Sequence, residues 1–295
     1  MSRNKKGNFK PTIISIIIMI AIIIATRYLP YFQNNVDKLP ISLDSIPEYS
    51  GSAYVEINNN QPFFTDDDLT ATSFEKYSDL DSLKRCGVAY ASIGIDIMPT
   101  EPRGSIGSIK PTAWQSVKYD FIDGKYLYNR CHLIAFQLAG ENANEKNLIT
   151  GTRYMNTVGM IPFENMVADY VKDTENHVLY RVTPIFKENN LLASGVLIEA
   201  KSVEDRGEGI CFCVYVYNVQ PGVIIDYSNG NNKEETDNTN NSKSTTYILN
   251  TNTHKFHKED CDGAINMKKS NKQVYNGSRN ILIAQGYTPC SSCNP

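Results

Sequence analysis

At 295 residues with a 41% hydrophobic composition, the chain is long enough for one sizeable core and a second, smaller one. Its formal net charge of −3 excludes the strongly basic class that binds nucleic acid over its whole surface, so any phosphate-binding surface must be local. Seven cysteines cannot all pair with one another, which requires a free thiol, an intermolecular bridge or metal ligation.

Residues 1–10 form a basic tail carrying Arg3, Lys5, Lys6 and Lys10, which the positive-inside rule keeps in the cytoplasm. Residues 11–29 read as a signal-anchor, a transmembrane helix built on the Ile-dominated run from Thr12 to Ala25. The run is short for a full span, so a cleaved signal peptide and a secreted product remain the alternative. The lack of an A-x-A-like cleavage site and the interfacial Tyr28, Tyr31 and Phe32 favour the anchor. The expected location is the cell membrane, single-pass, with everything after Arg27 outside. Residues 30–48, polar and containing Pro40 and Pro47, read as a stalk.

Alternation predicts strands over Ala53–Ile57, Val88–Ile93, Val178–Phe186, Ala193–Ala200 and Ile210–Val219. Asp66 to Asp68 are expected to cap or solvate a helix start, because three adjacent carboxylates cannot easily converge on one ion. The Gly- and Pro-punctuated stretch after Ile93 reads as a long ordered loop presenting Arg103 and Lys110, each either an ordinary surface cation or a phosphate contact. Asp123-Gly124 predicts a hairpin whose second strand, Lys125 to Leu133, delivers His132. Leu148 to Asn156 is expected to be helical, with Gly159 and Pro162 interrupting it and a further helix over Phe163–Lys172. Cys211 and Cys213 fall on one face of a strand, where they suit packed thiols better than a mutual bond.

The chemistry centres on His132, with Asn144, Asn147, Asn156 and Glu164 gathered behind it. An imidazole can take a proton from water near neutral pH while a hard cation held by oxygen ligands neutralises charge growing on a phosphate. From the residues alone, a hydrogen-bonded structural histidine fits as well.

The motif YNRCHL, the KPTAW upstream of it and the interval from Asn156 to Glu164 resemble the DNA/RNA non-specific endonuclease family of ββα-metal nucleases, in its DNA-entry and streptococcal DNase-like branches. The resemblance covers about residues 49–228. It implies an α+β fold with a central antiparallel sheet flanked by helices, and a Mg2+-dependent enzyme, Mn2+ serving in its place, that cuts either DNA or RNA, or DNA by preference, without reading sequence and leaves 5′-phosphate ends. It implies that His132 is the general base, Arg130 the motif arginine, Asn156 the Mg2+ ligand and Glu164 the acid holding a metal-bound water. Asn147 corresponds to the asparagine between base and ligand. Arg103 becomes a phosphate clamp, and Arg181 is expected near the scissile group. The chain departs from the family's D-R-G-H pattern at Asn129 and Cys131, and a bulky Cys131 puts a glycine-dependent turn in question. A Cys86–Cys131 bridge is possible outside the cell. A surface DNA-binding or adhesion protein on the same scaffold, catalytically weak, is the competing reading.

Residues 229–246 hold almost no apolar side chains and read as a disordered linker. Residues 247–295 then offer a hairpin, His257 and Cys261, a helical stretch, and Cys290 and Cys293, a Cys3His set suited to Zn2+. Here the chain resembles small Ada-type metal-binding modules. With six Lys/Arg against three Asp/Glu from Tyr247 onward, the module is mildly basic.

Overall fold

The structure, a computed structural model, describes residues 41, 45–235, 246–277 and 279–295. The expected anchor at 11–29 and most of the stalk lie outside the described residues. Among the described residues no helix is long and apolar enough to cross a membrane.

The centre is a six-stranded antiparallel sheet. Its strands are β1 (Tyr54–Glu56), β2 (Phe74–Tyr77), β3 (Ala89–Ile93), β6 (Val178–Ile185), β7 (Gly195–Ser202) and β8 (Cys211–Tyr217), in the order β1-β8-β7-β6-β3-β2. Between β3 and β6 the chain leaves the sheet to form a separate ribbon, β4 (Tyr128–His132) paired with β5 (Leu148–Thr152), with the short helix α1 (Phe136–Ala139) in the connection. The long helix α2 (Ile161–Thr174) follows. Ribbon then helix is the ββα order.

Strand period decides what each face of the sheet buries. Val178, Tyr180 and Val182 of β6 join Val196 and Ile198 of β7 and Val214 and Val216 of β8 in the main core, packed against Phe163, Val167 and Val171 of α2. The alternate residues, Leu197, Cys213, Tyr215 and Tyr217, face the other way. The helix therefore covers one face only. The opposite face is covered by irregular chain near the start of the described region, through Ile41, Ile46 and Phe63. At Asp66 to Asp68 a single 3-10 turn forms; the Thr65 amide donates to Asp68 Oδ2 at 2.7 Å, so Asp68 caps it while Asp66 and Asp67 are exposed to solvent.

Two local expectations are corrected. Leu148 to Thr152 is a strand, not the start of a helix: Ile149, Thr150 and Thr152 are β-branched, and the segment pairs with β4 from Tyr128 to His132. Gly159 does not interrupt the helix that follows. A Cβ there would sit 2.3 Å from Val216 Cγ1, so glycine is what lets the helical segment press against β8.

β9 (Val223–Ile225) and β10 (Asn232–Glu234) pair as a hairpin, so the start of the expected linker is ordered and only 236–245 lie outside the described residues. The C-terminal module is a second sheet, β13-β11-β12-β14, from β11 (Thr246–Asn250), β12 (Lys255–His257), β13 (Lys272–Asn276) and β14 (Thr288–Pro289), with helices α3 (Asp262–Ile265) and α4 (Arg279–Ala284). All seven cysteines are free. Cys86 is not bonded to Cys131: its thiol donates to the carbonyls of Glu145 and Leu148, each at 3.2 Å.

Candidate active site

β4 delivers His132 at its last position, and α2 delivers Glu164 from its first turn. Both line a cleft of about 1120 Å³ together with Asn156, Arg103, Lys110 and Arg130. The helix explains the acid's placement. Phe163, Glu164, Val167, Ala168 and Val171 are its buried residues, so at 3.6 residues per turn Glu164 occupies a core position of an otherwise apolar stripe.

Asn156 and Glu164 are eight residues apart, which in a regular α-helix would leave them roughly 80° out of line. Met155–Met160 instead form a π-helical turn, closed by the Ile161 amide donating to the Asn156 carbonyl. Wider turns rotate less per residue, and this one swings Asn156 back toward the face of Glu164. Neither the Asn156 carboxamide nor the Glu164 carboxylate has a hydrogen-bond partner among the described residues, so two oxygen donors point into the cleft uncommitted.

The state of His132 follows from its partners. Nε2 lies 2.8 Å from the Asn142 carbonyl, which can only accept, so Nε2 carries the proton and the lone pair of the neutral ring is on Nδ1. Burial, assisted by the Arg103 guanidinium, holds the imidazole pKa below its ordinary value, against the Asn142 contact. A neutral ring with its lone pair on Nδ1 is a competent base. Arg103 Nη2 lies 3.4 Å from that nitrogen. Burial pushes the Glu164 carboxyl up to about 8, with Arg103 opposing the rise. A buried carboxylate that lacks a hydrogen bond is one a bound cation would satisfy, and with the Asn156 amide oxygen it offers the hard donors that suit Mg2+.

Several expected site residues act through the scaffold. Arg130 stacks on the Trp114 ring, with Cζ 3.9 Å from its centroid, and donates to the carbonyls of Ile109 and Gly107, tying the Arg103–Lys110 loop to β4. Asn147 is fully buried and holds Ile134 by both backbone groups, each at 2.9 Å, two residues beyond His132. It fixes the chain path just beyond His132 and does not reach the cleft. Arg181 is not near the scissile position. It makes a two-pronged ion pair with buried Glu199 at 2.7 and 2.8 Å on the sheet face opposite Tyr180, under Phe64.

The departures at 129 and 131 are accommodated. Cys131 lies in extended strand and needs no left-handed backbone. Its sulfur fits because residue 151 is glycine: a Cβ there would lie 2.5 Å from Cys131 Sγ. Asn129 lines the cleft, and its buried Nδ2 has no partner among the described residues. Sequence reasoning missed Arg153, which lines the cleft and pairs with Asp123 at 2.7 Å, and the Gln137–Asn165 contact at 2.9 Å between α1 and α2. Arg153 had a signal in its place between β5 and Asn156.

In the C-terminal module the ligand atoms of His257, Cys261, Cys290 and Cys293 all lie within 4.8 Å of one another. Cys261 Sγ is 3.5 Å from His257 Nδ1, and the Lys258 amide donates to Cys293 Sγ. Three sulfurs and an imidazole at this spacing fit a tetrahedral soft-metal site.

A base on a strand and two oxygen donors on the following helix, facing across a cation-rimmed cleft, define a metal-dependent nuclease. Residues 67–204 match the model of the DNA/RNA non-specific endonuclease family. The crystal structure of NucA from Streptococcus agalactiae with magnesium ion bound superposes with a TM-score of 0.57 at 26% identity, covering 69% of this chain and 95% of that one. The Sda1 nuclease with bound zinc ion gives a TM-score of 0.52 at 25% identity, covering 62% and 97%. Among curated proteins none matches.

Proposed function

We propose that the chain is an exported, membrane-anchored endonuclease that uses Mg2+ to hydrolyse nucleic-acid phosphodiesters, leaving 5′-phosphate ends. One observation carries the reading: the Nδ1 lone pair of His132 and the free oxygens of Asn156 and Glu164 line a single cleft with Arg103, Lys110, Arg130 and Arg153 around it. The magnesium named for NucA supports the choice of ion, and so does the oxygen-only donor pair. When bound, the ion would offset the negative charge that develops on the phosphate.

The chain's own residues supply the rest. His132 accepts a proton from water at Nδ1 while its Nε2–H goes on donating to the Asn142 carbonyl, which keeps the ring aimed. Arg103 can exchange its contact with Nδ1 for a phosphate oxygen, clearing the base as substrate arrives. The surrounding cations meet phosphates and no base, so cutting is expected to tolerate any sequence and to weaken with salt, on DNA by preference or on either sugar. The basic residues before the apolar run from Thr12 to Ala25 support the anchor, with the nuclease outside the cell. His257, Cys261, Cys290 and Cys293 would hold Zn2+ as a structural ion.

The test is supercoiled plasmid incubated with wild type and His132→Ala, in Mg2+ and in EDTA. Nicking that needs Mg2+ and His132 is the expected result. Wild type that binds plasmid without nicking it would overturn the reading in favour of a surface DNA-binding protein.

A further inference from the structure

Strand β12 serves two surfaces at once. Phe256 points into a cluster shared between the module and the nuclease domain: Tyr247, Leu249, Phe256, Leu282 and Ile283 from the module pack with Ala53 and Tyr154, with Tyr49 and Val219 at the edge. The next residue, His257, belongs to the metal-ligand set on the other face, where Ile248 packs with Cys261 and Cys290. Register makes the division strict, since Leu249 pairs with Phe256 and Ile248 with His257, and successive strand residues face opposite ways. The Cys290 amide donates to the Phe256 carbonyl at 2.9 Å, so the backbone between contact surface and ligand set is itself tied to a ligand.

The nuclease residue under this contact is Tyr154. It immediately precedes the π-helical turn that carries Asn156, and its own amide is held by Gln220 Oε1 at 3.1 Å. Around it, Arg279 of the module lies over Gly51, where a Cβ would come within 2.6 Å of the guanidinium. A module of about 50 residues has too small a core to stay folded alone, so its metal decides whether the contact surface exists.

We propose that the C-terminal module is a metal-set clamp on the nuclease's own cation site. Filling the His257–Cys261–Cys290–Cys293 site keeps the module pressed on Tyr154, which fixes the turn bearing Asn156 and raises the cleft's affinity for its divalent ion. This rests on the reading of Asn156 as a Mg2+ ligand and of the four tail residues as a metal site. The two metals are then thermodynamically linked, and each raises the affinity for the other.

The experiment compares the full chain with Cys290→Ser/Cys293→Ser, which removes two tail ligands, and with Ile283→Asp, which breaks the contact and leaves all four. Mg2+ binding is followed by calorimetry and by emission of the single Trp114 in the cleft wall, without substrate; hydrogen exchange is read over residues 154–160 and over β6 as a control for the core. Both variants are expected to bind Mg2+ about fivefold or more weakly, with faster exchange at 154–160, unchanged β6, and tail metal retained only by Ile283→Asp. Unchanged Mg2+ affinity in both variants overturns the clamp while leaving the nuclease reading intact. A loss confined to the cysteine variant, or β6 exchange rising equally in both, overturns it too. Wild type that binds no divalent ion in the cleft overturns the clamp and the nuclease reading together.

Discussion

Ionising the buried Glu164 costs the native state stability, and the cost can be measured. Its carboxyl releases a proton at about 8 in the native protein against 4.5 for the exposed group. Between those values the native state holds a proton that the unfolded chain has given up, so wild-type stability falls as pH rises through the interval. At about 1.4 kcal/mol per pH unit, the ionised acid costs the native state roughly 4 to 5 kcal/mol above pH 8. Glu164→Gln keeps the size of the side chain and removes the ionisation. In metal-stripped protein followed by urea denaturation, the variant should gain on wild type by roughly 3 to 4 kcal/mol between pH 5 and pH 8.5, all other titrations being common to both. Saturating Mg2+ should shrink the gap at pH 8.5 by rewarding wild type alone, and the variant should fail to cut DNA. A gap of the same size at both pH values would refute the argument, because it would mean that the carboxyl ionises as easily inside the protein as outside.

Other outcomes follow from the same geometry. His132→Ala should lower cleavage about 10²- to 10⁴-fold. The acid limb of the wild-type rate profile should fall below the ordinary imidazole value of 6.5, since burial depresses the pKa and only the neutral ring accepts a proton; a limb above 7 would contradict the assignment. Arg181→Met should destabilise the fold by about 3 to 5 kcal/mol by stranding Glu199, with activity per folded molecule unchanged in a plasmid assay. Asn147→Ala should cost about 1 to 3 kcal/mol in denaturation and also reduce the cleavage rate, because the two bonds on Ile134 set the chain path just after His132.

What the sequence made legible was whatever depends on period and local chemistry. The strands β1, β3, β6, β7 and β8 stood out by alternation, and the Cys3His set by its ligand types. His132, Asn156 and Glu164 were gathered by the residues themselves, and their separate roles came through resemblance to a family. Long-range partners were not legible. Arg181 carries a cation of the right type, but its role is set by Glu199 across the sheet, and no local pattern announces that pairing. Leu148 to Thr152 failed for a related reason: the segment is a strand because β4 lies beside it. Asn147 looks like a reactive amide until its two bonds to Ile134 are seen.

The widened turn between Met155 and Met160 has a bearing on how such sites are recognised. By absorbing one surplus residue, it makes an interval of eight behave as an interval of seven would in an unbroken helix. A homologue one residue shorter there could carry the same pair of donors in the same place with no bulge at all. Loss of that one residue is thus geometrically silent, and a search that insists on fixed numbering between the two donors would divide proteins whose chemistry is the same.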